Sequence, residues 1–175
     1  MLLEAYHKLR KELPQCPRLF LVGQGGLSPK DWDHAVSLGL SDHIKVHKNV
    51  SSAELRALYR DASVFVFSSD EEGLGLVILE AMASGLPVVG KDCGGPATAV
   101  LPGKTGLLTP VGDAAALAES VKLLLVNPEM RRQMGRVARQ SAEERFSLAA
   151  AGKVYLDKYD ELLGKSPSSN LLISP

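Results

Sequence analysis

The chain has 175 residues, enough for one domain with a sizeable core, and its 45% hydrophobic and 23% charged content is ordinary for a soluble globular protein. A formal net charge of +0 supplies no bulk field that would recommend nucleic acid or an anionic membrane as partner. Cys16 and Cys93 are the only cysteines and show no CxxC spacing, so they read as reduced cytosolic thiols and place the chain in the cytoplasm, not in a disulfide frame. No apolar run approaches the length of a membrane span, and the amphipathic series Leu2, Leu3, Tyr6, Leu9, Leu13 after Met1 has no signal-peptide layout.

In chain order, Leu2 to Leu13 is expected to be a helix stopped by Pro14 and Pro17. Arg18 to Val22 reads as a strand, with Gly23-Gln-Gly-Gly26 as the loop after it. Ser28 and Pro29 supply an N-cap and a first helical residue for a helix reaching Gly39. His43 to His47 is the next strand, and Ser52 caps a short helix through Tyr59. Ser63 to Phe67, apolar, β-branched and aromatic, reads as a buried strand. After a glycine loop, a helix runs from Gly75 until Gly85 punctuates it. Pro87 to Gly90 is a strand, Pro96 to Leu101 a short irregular or helical piece, and Thr105 to Thr109 a strand. Helices over Asp113 to Val126, Pro128 to Phe146 and Leu148 to Leu163 complete the order. Strands alternating with helices argue for a parallel sheet covered on both faces. The domain is expected to span residues 1–163, with 164–175 as a tail that carries the apolar Leu171-Leu-Ile173.

The stretch from Ser68 to Gly85 is the centre of the chain: strand, glycine loop, helix. Such a loop presents free backbone N–H groups at the positive end of a helix, ready for a phosphate. Leu76, Val77, Ile78, Leu79, Ala81 and Met82 make the helix apolar nearly all round, which predicts burial. Glu80 is its only charge, and a carboxylate there calls for donors or a cleft. The bland reading is a tight strand-to-helix turn with no ligand and a solvated Glu80.

The string Glu72-Gly-Leu-Gly-Leu-Val-Ile-Leu-Glu80, with its two carboxylates, resembles the donor-site signature of retaining glycosyltransferases of family 4. The likeness continues through Gly85-Leu-Pro-Val-Val89, Gly94-Gly95, Gly103-Lys-Thr-Gly-Leu-Leu-Thr-Pro110 and the helix start at Gly112, covering roughly residues 1–163. It implies a doubly wound, Rossmann-like parallel sheet, the C-terminal domain of the two-domain GT-B fold, which binds a nucleotide sugar in the interdomain cleft. By the same likeness Glu72 faces the hydroxyls of the transferred sugar as the catalytic carboxylate, and Glu80 holds the ribose diol. Backbone N–H groups in Gly73, Leu74, Gly75, Leu76 and Val77 meet sugar or diphosphate oxygens. Two adjacent hydroxyls can both donate to one carboxylate, and charged acceptors make the stronger hydrogen bonds.

Other candidates have weaker support. Gly23 opens a loop near the diphosphate by resemblance, although a plain turn is the simpler reading. His47 and Lys48 follow the third strand of the family, where the base is contacted. The family often carries Gly where Lys48 stands, and Lys48 could reach a phosphate instead; for His47 the plain alternative is a partly exposed strand end. Thr98 occupies a position where the family commonly has Glu. Asp31-Trp-Asp33 mimics a metal motif, but acids in a first helical turn simply favour the dipole. Gly103-Lys-Thr105 resembles the end of a P-loop, yet position 98 is Thr and a strand follows. Arg132, Arg136 and Arg139 lie opposite Met130, Met134 and Val137 on one helix, as a solvated face would.

The family's C-terminal domain begins with a strand, an Arg in the following loop and a Lys before the first helix; none of these is present in the sequence, and neither is the N-terminal acceptor domain. In the strand order 3-2-1-4-5-6 the missing strand is a central one, so unpaired edges are expected on Arg18–Val22 and Val64–Phe67. Such a gap calls for a longer parent chain, closure of the sheet, or a strand from a neighbouring copy. The resemblance thus implies the donor-binding part of a transferase moving a hexose from a nucleoside diphosphate sugar to an acceptor hydroxyl, with no cofactor or essential metal. Its partners would be the nucleotide sugar and the acceptor domain, with no nucleic acid, and any membrane contact would come through that other domain. A nucleotide-sugar epimerase of the same fold and a non-catalytic nucleotide-sugar-binding module are the alternatives.

Overall fold

The computed structural model describes residues 1–69 and 75–164. The elements follow the expected alternation: α1 (Leu2–Glu12), β1 (Leu19–Gly23), α2 (Pro29–Ser37), β2 (Ile44–Lys48), α3 (Ser52–Asp61), β3 (Phe65–Phe67), α4 (Leu76–Ala83), β4 (Val88–Lys91), α5 (Gly95–Ala99), β5 (Gly106–Thr109), α6 (Ala114–Val126), α7 (Pro128–Phe146) and α8 (Leu148–Leu162). Local chemistry sets most of the boundaries. The Ser28 hydroxyl accepts from the Asp31 N–H, and Pro29 enters the first turn of α2. Asp113 caps α6 through the Ala116 N–H at 2.9 Å. The N-cap of α3 is Ser51, not Ser52, because Glu54 stands three residues after Ser51 and closes a reciprocal capping box with it. The third strand is shorter than Ser63–Phe67 and starts at Phe65, where pairing with Val88 of β4 begins.

All strand pairs are parallel, but they form two sheets, β1-β2 and β3-β4-β5. Among the described residues, neither β1 nor β3 has a partner on its other side. Leu19 of β1 and Val66 of β3 line a common small apolar cleft with Leu2, Tyr6 and Leu117. The order is therefore β2-β1, a gap, then β3-β4-β5, which is the doubly wound order without its first strand. The unpaired edges expected from the sequence lie on the two strands that face the cleft.

Alternation along β4 decides which helices cover which face. Val89 packs into a core with Leu3, Tyr6 and Leu9 of α1 and Leu117, Val121 and Leu124 of α6. Val88 faces the other way, into a core with Ile78 and Met82 of α4 and Ala138 and Ala142 of α7. All four residues of β4 are buried, as the middle strand of a sheet covered on both faces must be. The exposed face of α7 carries Arg132, Arg136 and Arg139, paired with Glu129 and Glu143 of the same helix, so the three arginines are a solvated face with its ion pairs inside the helix.

The expected all-round burial of α4 is not found. Ile78, Ala81 and Met82 are buried, whereas Leu76 is 71% exposed, Val77 43%, and Glu80 lies on the same open side. Uniform apolarity specified no face of its own; the packing of α7 on one side of the helix did.

Candidate donor-binding site

The site is built on the carboxyl end of β3 and the amino end of α4. Gly75 is the N-cap, held at φ 72° and ψ 74°, a left-handed conformation that glycine adopts without penalty. It has no side chain with which to cap the helix, and no acidic residue stands in the first turn. Leu76 and Val77 are exposed while Gly75 is buried, and among the described residues no side chain caps this positive helix end. The first internal bond is the Ile78 N–H to the Gly75 carbonyl at 2.8 Å. Glu72, Gly73 and Leu74 lie outside the described residues. The loop's first residues are tied to the neighbouring loop, where the Cys93 thiol donates to the Ser69 carbonyl at 3.7 Å.

Glu80 stands one turn beyond Leu76, about 6 Å along the axis at 1.5 Å per residue. Its Oε2 accepts from the Tyr59 hydroxyl at 3.1 Å. Tyr59 comes from α3 and is buried against Ala81, Leu86 and Phe65, the last in an edge-to-face contact with ring centres 6.0 Å apart. Burial first, and the Glu80 charge second, raise the Tyr59 pKa above its ordinary 10.0, so this hydroxyl remains a donor. Stability linked to it is fully present below pH 10 and falls as pH rises past that value, because the unfolded chain then loses the proton first. Sequence reading missed Tyr59 as a site residue. Its spacing four residues from Leu55 marks a buried helical face, but carries nothing about what the hydroxyl meets.

A second group gathers at the carboxyl ends of β1 and β2. Gly23 is the register partner of Lys48, and the Asn49 N–H reaches the Gly23 carbonyl at 3.4 Å. His47 is the last residue but one of β2 and is partly exposed; its ring meets Phe20 edge-on at 5.3 Å, and its Nε2 is buried without a hydrogen-bond partner among the described residues. The Lys48 side chain folds over Gly26, whose φ of 71° and absent Cβ leave room for it, and lines an open cleft with Leu27 and Trp32. These residues end or follow the strands of the β1-β2 sheet, whereas α4 with Gly75 and Glu80 follows β3 of the other sheet.

The remaining motifs resolve simply. Asp31 accepts from the Ser28 hydroxyl at 2.6 Å as part of a helix cap. The exposed Thr98 offers its backbone carbonyl to the Arg145 guanidinium at 2.7 Å, tying α5 to α7. Lys104 and Thr105 belong to a turn, where the Thr105 hydroxyl accepts from the Leu101 N–H at 2.8 Å. One buried cation escaped the sequence reading: Lys91, 1% exposed, ends β4, one residue past the predicted strand.

Comparison with known proteins places this geometry. Residues 1–141 match the family described as Glycosyl transferases group 1. Trehalose synthase of Pyrococcus horikoshii is 31% identical over 169 residues, covering 93% of this chain and 40% of that protein. Sucrose-phosphate synthase from Thermosynechococcus elongatus superposes with a TM-score of 0.79 at 30% identity, over 94% of this chain and 43% of its own. Anabaena HepE, solved in complex with UDP and glucose, superposes with a TM-score of 0.73 at 26% identity, over 90% of this chain and 44% of its own. The chain thus spans about two fifths of the length of the curated relatives it matches first. With a family match over most of its length and the same α/β architecture, the chain belongs to the group 1 glycosyltransferases.

Proposed function

We propose that residues 1–163 form the donor-binding C-terminal domain of a retaining GT-B glycosyltransferase, which transfers a hexose from a nucleoside diphosphate sugar to an acceptor hydroxyl in the cytoplasm. One observation carries this reading: among the described residues the amide end of α4 at Gly75-Leu76-Val77 has no side-chain cap, Leu76 and Val77 are exposed, and a carboxylate, Glu80, stands one turn further along the same open side. A ribose and its 5′-diphosphate span a comparable distance, so one donor can place phosphate oxygens on the amides and its diol on Glu80. The HepE complex with UDP and glucose, on a similar fold, supports the choice of ligand class.

The roles then divide. Amides of Gly73 to Val77 stabilise charge on the diphosphate, which grows as the leaving group departs. Glu72 faces the transferred sugar and orients it. Gly23, His47 and Lys48 supply base or phosphate contacts from the neighbouring strands. The acceptor and the cations that neutralise the leaving group come from the rest of the parent chain, and no essential metal takes part.

Isothermal titration of the full-length parent with UDP, GDP and ADP tests this. One of the three binds, with an affinity unchanged by EDTA. The purified 175-residue chain, incubated with nucleotide sugar and acceptor, transfers no sugar; transfer above a no-protein control overturns the division between the two parts. An isomerised sugar nucleotide formed without acceptor marks an epimerase instead.

A further inference from the structure

The contact between Tyr59 and Glu80 joins a buried side chain to one on the open side of the site. The phenol ring is wedged between α3 and α4, 8% exposed, against Ala81, Leu86 and Phe65. Its hydroxyl emerges 3.1 Å from Glu80 Oε2 and 3.5 Å from the Val77 carbonyl. Among the described residues Glu80 has no cationic partner, and its side-chain contact is this one donor. A glutamate on an exposed helix face otherwise samples many rotamers, and that freedom is lost when a ligand binds.

From this geometry we propose that Tyr59 is a positioning residue for the donor. Its hydroxyl holds one oxygen of Glu80 so that the other faces a pair of vicinal hydroxyls, and the pair of residues thereby selects ribonucleotides over 2′-deoxyribonucleotides. The proposal rests on the assignment of Glu80 to the ribose. The stoichiometry of donors fits: an ionised carboxylate has about four acceptor positions, of which Tyr59 fills one and a diol two. Tyr59 is suited to the task because a rigid aromatic ring, fixed by packing on three sides, delivers its hydroxyl to one place. Its raised pKa keeps the proton that makes it a donor. Packing alone would be served as well by phenylalanine; the hydroxyl is explained by what it meets.

The experiment compares UDP with 2′-deoxy-UDP, or the matching GDP or ADP pair if that is the nucleotide bound, by calorimetry on the full-length parent. The parent protein binds the ribonucleotide more tightly than its deoxy counterpart. Tyr59→Phe lowers ribonucleotide affinity about five- to tenfold, part of the loss expected from a hydrogen bond to a charged group, and leaves the deoxynucleotide within about twofold. In a Glu80→Gln background the same change has no further effect on ribose preference. A merely structural Tyr59 would weaken both nucleotides equally, and that result overturns the proposal, as does a Tyr59→Phe protein with unaltered preference. If Glu80→Gln abolishes the preference while Tyr59→Phe keeps it, only the Tyr59 role fails. If Glu80→Gln also keeps it, the ribose assignment fails and takes the Tyr59 role with it.

Discussion

Glu80→Ala in the full-length parent is expected to weaken bare nucleoside diphosphate and nucleotide sugar together, each by about ten- to a hundredfold, the usual cost of removing one charge-assisted partner. The reason is that the ribose is common to both ligands. Glu72→Ala should behave differently, because it is assigned to the transferred sugar, which the free nucleotide lacks. Bare-nucleotide binding then stays nearly unchanged, while nucleotide-sugar binding, turnover, or both decline. Neither change should unfold the protein; Glu80 lies on an open helix face, where truncation removes little packing. Isothermal titration of both variants with nucleotide and nucleotide sugar decides the matter. Equal losses of bare-nucleotide affinity in the two variants would show that the division of labour is wrong.

Gly135→Ala should destabilise the domain, against the direction of helix propensity. Alanine in place of glycine inside a helix such as α7 ordinarily gains up to about 1 kcal/mol. At this position, however, a Cβ would fall directly on the backbone carbonyl of Gly85 and close to the Pro87 ring, in the turn between α4 and β4. The obstacle is backbone, not the end of a flexible side chain, so α7 must move away from α4. Forced repacking of this kind costs about 1–3 kcal/mol. At about 2–4 °C per kcal/mol for a domain of this size, the midpoint of thermal unfolding should fall by roughly 2–12 °C. Since α4 carries the proposed donor contacts, the variant should also bind nucleotide more weakly well below its melting temperature. A midpoint equal to or above that of the parent would show that α7 relaxes freely at Gly135.

The order of elements was legible because caps and breakers are local signals. Ser28 with Pro29, Asp113, and Ser147 before α8 each determine a helix start through one side chain and one or two amides. Where two local solutions competed, the sequence reading chose wrongly: Ser51 and Ser52 are both able to cap, and the reciprocal bond to Glu54 selects the first. Features fixed by distant partners were less legible. β3 is shorter than its apolar run because its length is set by pairing with β4. The exposure of Leu76 and Val77 depends on which side α7 takes. β2 ends at Lys48, one residue past the expected His47, because its ladder with β1 runs on to Gly23. For the site, the carboxylate on α4 and the glycine before it were evident from spacing and resemblance, whereas the Tyr59 contact spans 21 positions along the chain. Burial shows that Tyr59 is inside; only the fold shows which acceptor it reaches.

The gap between β1 and β3 also bears on how these residues behave when handled alone. A strand edge is a template for chain-to-chain pairing, and proteins usually blunt it with charge, proline or a covering element. Here two such edges face one apolar cleft lined by Leu2, Leu19 and Val66, with no charged residue among its walls. An extended apolar segment that pried the cleft open would meet unpaired backbone groups on β1 and β3, and a segment of another molecule would serve as well as one of the same chain. Residues 1–175 in isolation should therefore associate increasingly as their concentration is raised, which light scattering over a dilution series would read. A short β-forming peptide added in excess should compete for the slot and keep the protein in solution.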